Sequence, residues 1–395
     1  MYNETAYALG NVKSYIRGVF EYGLKQRALA GPENVFDYSL GNPSIPAPAQ
    51  VNESIRQILD TEDSVKLHGY TTACGYDGLR EAVAENLSQR FGVNVRPQNL
   101  FFTCGAAPAL IAALQAVHVD SETEIIAIAP YFVEYPPFVE ATGSKFVSVR
   151  SDETMLTVDL ADLEQKLNAH TQAIILNSPC NPSGVVYSRE LLTQIAALLT
   201  KKSEAFGHPI YLIADEPYRE LVYGGVEVPF IPAIYPNTIV CYSWSKSLSL
   251  PGERIGYALV MDCVADSEKI YYAIAGAARV NGHVNPPSLI QRVIEKCCGL
   301  MPDLKAYDEN RRLLCDSLRS YGYTCIEPQG AFYLFVKAPG GDAMAFSELT
   351  KTRNLLIVPS DPFGMPGYFR LSYCVSNDMI RRSLPAFKAM MDAYK

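Results

Sequence analysis

The chain has 395 residues, 48% of them hydrophobic and 19% charged, the texture of a folded globular protein and not of a disordered or fibrous one. Its 34 basic and 42 acidic side chains give a net charge of −8, which argues against a face built to grip a phosphate backbone. At about 100–200 residues per domain the length holds two or three domains, with a sizeable core.

Taken in chain order, the first 48 residues carry turns at Gly31-Pro32 and Gly41-Asn42-Pro43 and no strand run of their own. They are expected to pack on the C-terminal domain. Asp77 is placed to cap a helix whose apolar positions Leu79, Val83 and Leu87 recur every four residues. A strand over Leu100–Phe102 is followed by a helix over Ala107–Val117, then strands at Glu124–Ala129 and Lys145–Val149. A helix from Asp159 to Asn168, a strand at Ala173–Leu176 and a long helix from Ser188 to Ala205 come next. Ile210–Ala214, Thr238–Tyr242 and Ile255–Val260 read as three further strands. Short apolar strands alternating with helices predict an α/β fold, a mostly parallel sheet covered on both faces. Beyond about residue 300 the texture becomes α+β: a helix over Leu304–Tyr321, strands at Ala331–Val336, Leu355–Val358 and Tyr368–Cys374, and a closing helix from Asp378. The expected division is an N-terminal segment (1–48), a large domain (49–295) and a small C-terminal domain (296–395).

The opening stretch lacks a basic region followed by an apolar one, so no signal peptide is expected. The most apolar run, Phe101 to Val117, contains Gly105, Pro108 and Gln115 and is short for a membrane span. Ten cysteines without a CxxC pair suggest reduced thiols over a disulfide frame or a zinc site. A cytoplasmic protein is expected, with neither nucleic acid nor membrane as partner.

The sharpest local signal is Ser243-Trp244-Ser245-Lys246, then Pro251-Gly252-Glu253-Arg254-Ile255-Gly256-Tyr257. An isolated lysine is usually solvated. One just past a buried strand can instead be activated as a Schiff-base amine by surroundings that disfavour its ammonium form. Eight positions on, Arg254 offers a planar fork to a phosphate, with Ser243 and Ser245 adding hydroxyls.

This segment resembles the lysine segment of class I and II aminotransferases, the fold-type I enzymes that use pyridoxal 5′-phosphate. Gly69-Tyr70 and Gly75-Tyr76-Asp77-Gly78-Leu79-Arg80 resemble the family's early segment, Thr103-Cys104-Gly105-Ala106-Ala107 its phosphate-cup turn, and Pro130-Tyr131-Phe132 its ring-stacking segment. Asn177-Ser178-Pro179-Cys180-Asn181-Pro182-Ser183-Gly184, Asp215-Glu216-Pro217-Tyr218 and Phe369-Arg370-Leu371-Ser372 follow in the family's order. Any one match is weak. Together they span nearly the whole chain.

The resemblance implies that Lys246 holds the cofactor as an imine and shuttles a proton, and that Asp215 faces the ring nitrogen. Tyr218 and Asn181 would hydrogen-bond the ring's phenolic oxygen, and Phe132 would lie over the ring. Gly105 permits a sharp turn, so that the amides of Ala106 and Ala107 open a helix toward an anion beside Arg254. Arg370 would take the substrate α-carboxylate as a two-pronged fork, with Gly41 approaching the same group. Tyr70 would reach the phosphate of a neighbouring subunit, which implies a homodimer with shared sites. Cys180 and Glu253 depart from the family pattern. Arg279 is a candidate for a distal carboxylate, although its spacing to Asn285-Pro286-Pro287 is one residue long, and a surface helix arginine is the plainer alternative.

These residues imply a transaminase acting on an L-amino acid and a 2-oxo acid, aspartate-aminotransferase-like. The alternative is a carbon–sulfur β-lyase or an aminocyclopropane-carboxylate-synthase-like enzyme, which share the cofactor residues. A ligand-sensing regulator would need a basic DNA-binding segment, and none is visible before Tyr70 or after Arg370. A nicotinamide enzyme lacks its GxG and an α/β-hydrolase its GxSxG.

Overall fold

Residues 1–11, 15–152, 154–283 and 285–394 are described by a computed structural model. The N-terminal segment is richer than its turn signals suggest. It forms helices over Glu4–Asn11 and Tyr15–Ala30, then a strand, β1 (Phe36–Asp37), parallel to a short strand near the other end of the chain. Two residues are too few to show a period, which is why the sequence conceals β1.

The large sheet takes seven strands: β2 (Leu100–Thr103), β3 (Glu124–Ile128), β4 (Lys145–Val149), β5 (Thr171–Asn177), β6 (Tyr211–Asp215), β7 (Thr238–Ser243) and β8 (Gly256–Val260). Their order is β2-β8-β7-β6-β5-β3-β4, with β8 antiparallel to both neighbours and the remaining pairs parallel. Each strand sends alternate residues to opposite faces. Ile174, Leu176, Leu212 and Val240 pack in one apolar cluster with the helix residues Val83, Leu192 and Val293. Ile175, Ile213, Ile239 and Cys241 pack in another with Leu110, Leu114 and Ile274. Both faces are covered, as a mostly parallel sheet requires.

Four strands form a second, antiparallel sheet in the order β12-β13-β10-β9: β9 (Cys325–Ile326), β10 (Tyr333–Lys337), β12 (Val358–Pro359) and β13 (Tyr368–Ser372). The partner of β1 is β11 (Leu355–Leu356). The expected single strand Leu355–Val358 is therefore two, serving different sheets.

One further expectation is corrected. Asp77 does not cap the helix Asp77–Phe91; it is the first helical residue, Tyr76 precedes it without a side-chain cap, and the Asp77 carboxylate faces Arg80 at 3.5 Å. An acid in the first turn still favours the helix through its dipole.

Candidate active site

The carboxyl ends of the parallel strands meet at one edge of the large sheet. In such sheets this edge is where ligands bind. Asn177 ends β5, Asp215 ends β6 and Ser243 ends β7, with Asn177 beside Asp215 and Ser243 beside Gly256 in register. The chain then turns into a short helix, Trp244–Ser247, that carries Lys246. Beneath it the Tyr242 hydroxyl lies 2.9 Å from both a Glu220 carboxylate oxygen and Ser247 Oγ, which ties the turn to the sheet.

Lys246 Nζ donates to the Gly41 carbonyl at 2.7 Å, a contact between residues 205 positions apart. Burial lowers its pKa to about 8, with the cations Arg370 and Arg254 pushing the same way. Among the described residues no carboxylate pairs with it. A lysine in this state is neutral in an appreciable fraction of molecules near neutral pH.

Asp215 is 5% exposed. Its Oδ2 accepts from the Tyr135 hydroxyl at 2.6 Å, while Oδ1 is buried without a hydrogen-bond partner. Burial raises its pKa to about 7. Asn177 fixes the backbone on both sides: its amide donates to the Asp215 carbonyl at 2.7 Å, and its Oδ1 accepts from the Asn181 N–H at 2.6 Å.

Arg370 stands on β13, 2% exposed. It donates to Asn181 Oδ1 at 2.9 Å and to the Ser39 carbonyl at 2.5 Å, and its Nε has no partner. Its guanidinium lies over the rings of Tyr333 (4.6 Å) and Phe363 (5.2 Å). A buried cation held only by neutral groups is costly, so this arrangement is preset for an anion.

Tyr218 is buried, with its hydroxyl 3.0 Å from that of Tyr333, and burial pushes its pKa well up. Gly105, at φ +104°, precedes the helix Ala106–Val117, and a Cβ there would fall 2.6 Å from the Arg254 guanidinium. The first-turn amides of that helix, Ala106 and Ala107 among them, thus open beside an arginine. Arg254 also donates to the Pro251 carbonyl at 2.9 Å. Phe132 is half-buried, its ring 5.8 Å from that of Tyr135, and Ser243 and Ser245 are buried at the lysine turn. Cys180 is buried with its thiol donating to the Pro130 carbonyl at 3.5 Å, so this departure fills space behind the ring-stacking segment. Tyr70 is 93% exposed and Arg279 is exposed in the last turn of Ser267–Val280, both outside the buried cluster.

The residue set fits pyridoxal 5′-phosphate. A helix end and Arg254 suit its phosphate, the partnerless Asp215 Oδ1 suits a protonated ring nitrogen, and the part-buried amine of Lys246 suits its aldehyde. The sequence patterns did not single out Tyr135 or Tyr333, and Asn177 stood in a recognised segment without a role of its own. The first stands three residues after Phe132, and nothing in its local pattern announces a partner 80 positions away.

Known proteins share this fold. The family model described as Aminotransferase class I and II matches residues 33–387. An aspartate aminotransferase of Thermotoga maritima is 29% identical over 391 residues, covering 96% of this chain and 97% of its own. A solved aminotransferase of Eubacterium rectale is 51% identical and superposes with a TM-score of 0.98, covering 100% of this chain and 99% of its own. An aspartate aminotransferase of Thermus thermophilus, solved with maleate, is 27% identical with a TM-score of 0.83 over 96% of this chain and 97% of its own. The chain belongs to the class I and II aminotransferases, and is a pyridoxal-phosphate-dependent transaminase of the aspartate-aminotransferase-like kind.

Proposed function

We propose that the Lys246 cluster moves an amino group between an L-amino acid, aspartate or glutamate first, and a 2-oxo acid. One observation carries the site assignment: a part-buried lysine and a buried arginine converge on the same strand ends, neither with a carboxylate partner among the described residues. In this reading Arg254, Ser243, Ser245 and the amides of Gly105, Ala106 and Ala107 hold the cofactor phosphate. Phe132 covers one ring face, Asp215 meets the ring nitrogen, and Tyr218 with Asn181 meets the phenolic oxygen.

When bound, pyridoxal phosphate supplies an electron sink for the substrate's α-carbon. The chain supplies the remainder. Lys246, shifted to about 8, can release its proton near neutral pH and later take one from, or return one to, the substrate α-carbon. Asp215 ionises readily once a cation faces Oδ1, because the attraction offsets the burial that otherwise keeps it protonated. Tyr135 holds the other oxygen so that the carboxylate points one way. Arg370 presents its charged fork to the α-carboxylate, while Gly41 must lack a side chain because the Tyr333 hydroxyl occupies the position of its Cβ.

The names of the relatives favour transamination over β-elimination, and maleate in the Thermus thermophilus enzyme favours a dicarboxylate. Tyr70, 93% exposed, supports a homodimer in which each copy completes the other's phosphate site. A division into 1–48, 49–295 and 296–395 is supported by the separate seven-stranded and four-stranded sheets and by the pairing of β1 with β11. Ten free cysteines suit a cytoplasmic setting. No helix among the described residues is long and apolar enough to cross a membrane.

The test is a half-reaction screen: cofactor-loaded protein is mixed with each amino acid, and 2-oxo acid release is recorded. Aspartate and glutamate should release their oxo acids fastest. Release of ammonia and pyruvate from cysteine conjugates, without oxo acid from aspartate, would favour the β-lyase.

A further inference from the structure

Tyr333 begins β10, is 3% exposed, and has no task in the chemistry above. Three contacts meet on it. Its hydroxyl lies 3.0 Å from that of Tyr218, and its ring carries the Arg370 guanidinium at 4.6 Å. The hydroxyl also rests against Gly41, where a Cβ would overlap it, and the Gly41 carbonyl is the acceptor for Lys246. One phenol therefore touches the residues assigned to the α-carboxylate and to the phenolic oxygen, and the backbone that holds the lysine.

We propose that Tyr333 is a positioning residue: its hydroxyl donates to Tyr218 and so turns the Tyr218 proton toward the bound cofactor, while its ring seats Arg370. This rests on the reading that Tyr218 addresses the phenolic oxygen. Each hydroxyl carries one proton, and the two share one hydrogen bond. If Tyr218 donates to a ligand oxygen, its own oxygen is left as an acceptor, and Tyr333 is the donor in reach. A chain of this kind strengthens each bond by about 10–30%. The charged and titratable groups around the pair include Arg370 on β13, Cys374 just beyond it, Asp215 on β6 and Tyr135. Burial raises Tyr333 to about 12 and Tyr218 also well up, so both protons are present at neutral pH.

Tyr333→Phe keeps the ring under Arg370 and deletes the donor. The readout is the pH midpoint of the bound cofactor's absorbance. Donation to the phenolic oxygen makes the lysine-bound nitrogen less basic, so weakening it should raise the midpoint by about 0.3 unit. The KM for the amino acid should stay within about twofold, because the ring remains. Replacing Tyr333 by 3-fluorotyrosine, the same shape with a more acidic hydroxyl, should lower the midpoint, and it carries the test alone if the Phe variant does not fold. An unmoved midpoint, or a shift in the same direction for both replacements, overturns the proposal and leaves the site assignment standing. A parent protein that shows no cofactor absorbance overturns both.

Discussion

Asp215 is held in the fold at a cost that its ligand removes. Its ordinary value is 3.8 and burial lifts it to about 7. Between those values the folded chain binds a proton that the unfolded chain does not. Stability from this group is therefore full below the unfolded value and is lost as pH rises through about 7, by a few kcal/mol in all. Asp215→Asn should thus raise the melting temperature of the cofactor-free protein at about pH 8, and the gap should narrow toward about pH 5. Thermal denaturation across that range checks it. A gap that does not change with pH would mean the carboxyl is not buried as described. The same variant should lose most transamination, because an amide does not stabilise a proton on the ring nitrogen. At this scale Lys246, Asp215, Arg254 and Arg370 were legible because each stands in a distinctive run. Tyr135 and Tyr333 were not, because their partners lie 80 and 115 positions away and only the fold makes the pairs.

Among elements, the turn before Ala106–Val117 shows how a single residue type sets a binding surface. At φ +104° Gly105 occupies backbone space that side chains resist, and its missing Cβ admits Arg254. Gly105→Ala should leave the fold intact but weaken pyridoxal phosphate roughly 10- to 100-fold, from about 1–3 kcal/mol of strain and displacement. Affinity for unphosphorylated pyridoxal should change little, since the lesion lies at the phosphate. Equal losses for both ligands in an absorbance titration would place the phosphate elsewhere. The apolar strands β3, β5, β6 and β7 were legible because burial on both faces leaves continuous hydrophobic runs. The pairing of β1 with β11 was hidden by length. The split of Leu355–Val358 was hidden because one extended run reads the same whether it serves one sheet or two. Helices Ser267–Val280 and Ser288–Cys297 were not expected: Gly276 blurs the first, whereas the second carries a signal in Leu289, Ile290, Val293 and Ile294 that the expected elements omit.

For the whole molecule, residues from five distant stretches of chain converge. Gly41 comes from the N-terminal segment, Asn181 from the turn after β5, Asp215 from the end of β6, Lys246 from the turn after β7, and Arg370 from the second sheet. Arg370 joins the second sheet to the turn after β5 and to the N-terminal segment by donating to Asn181 Oδ1 and the Ser39 carbonyl. A substrate carboxylate docked on it would thus sit where the large sheet, the small sheet and the N-terminal segment meet. Motif order along the chain named these residues as candidates, while the distances between them belong to the fold. The central claim is that Lys246 is the residue that takes the cofactor. Its most direct test is borohydride reduction of the protein after incubation with pyridoxal phosphate, followed by peptide mapping. The label should be found on Lys246 and be lost in Lys246→Ala; a label on another lysine, or none, would contradict the account.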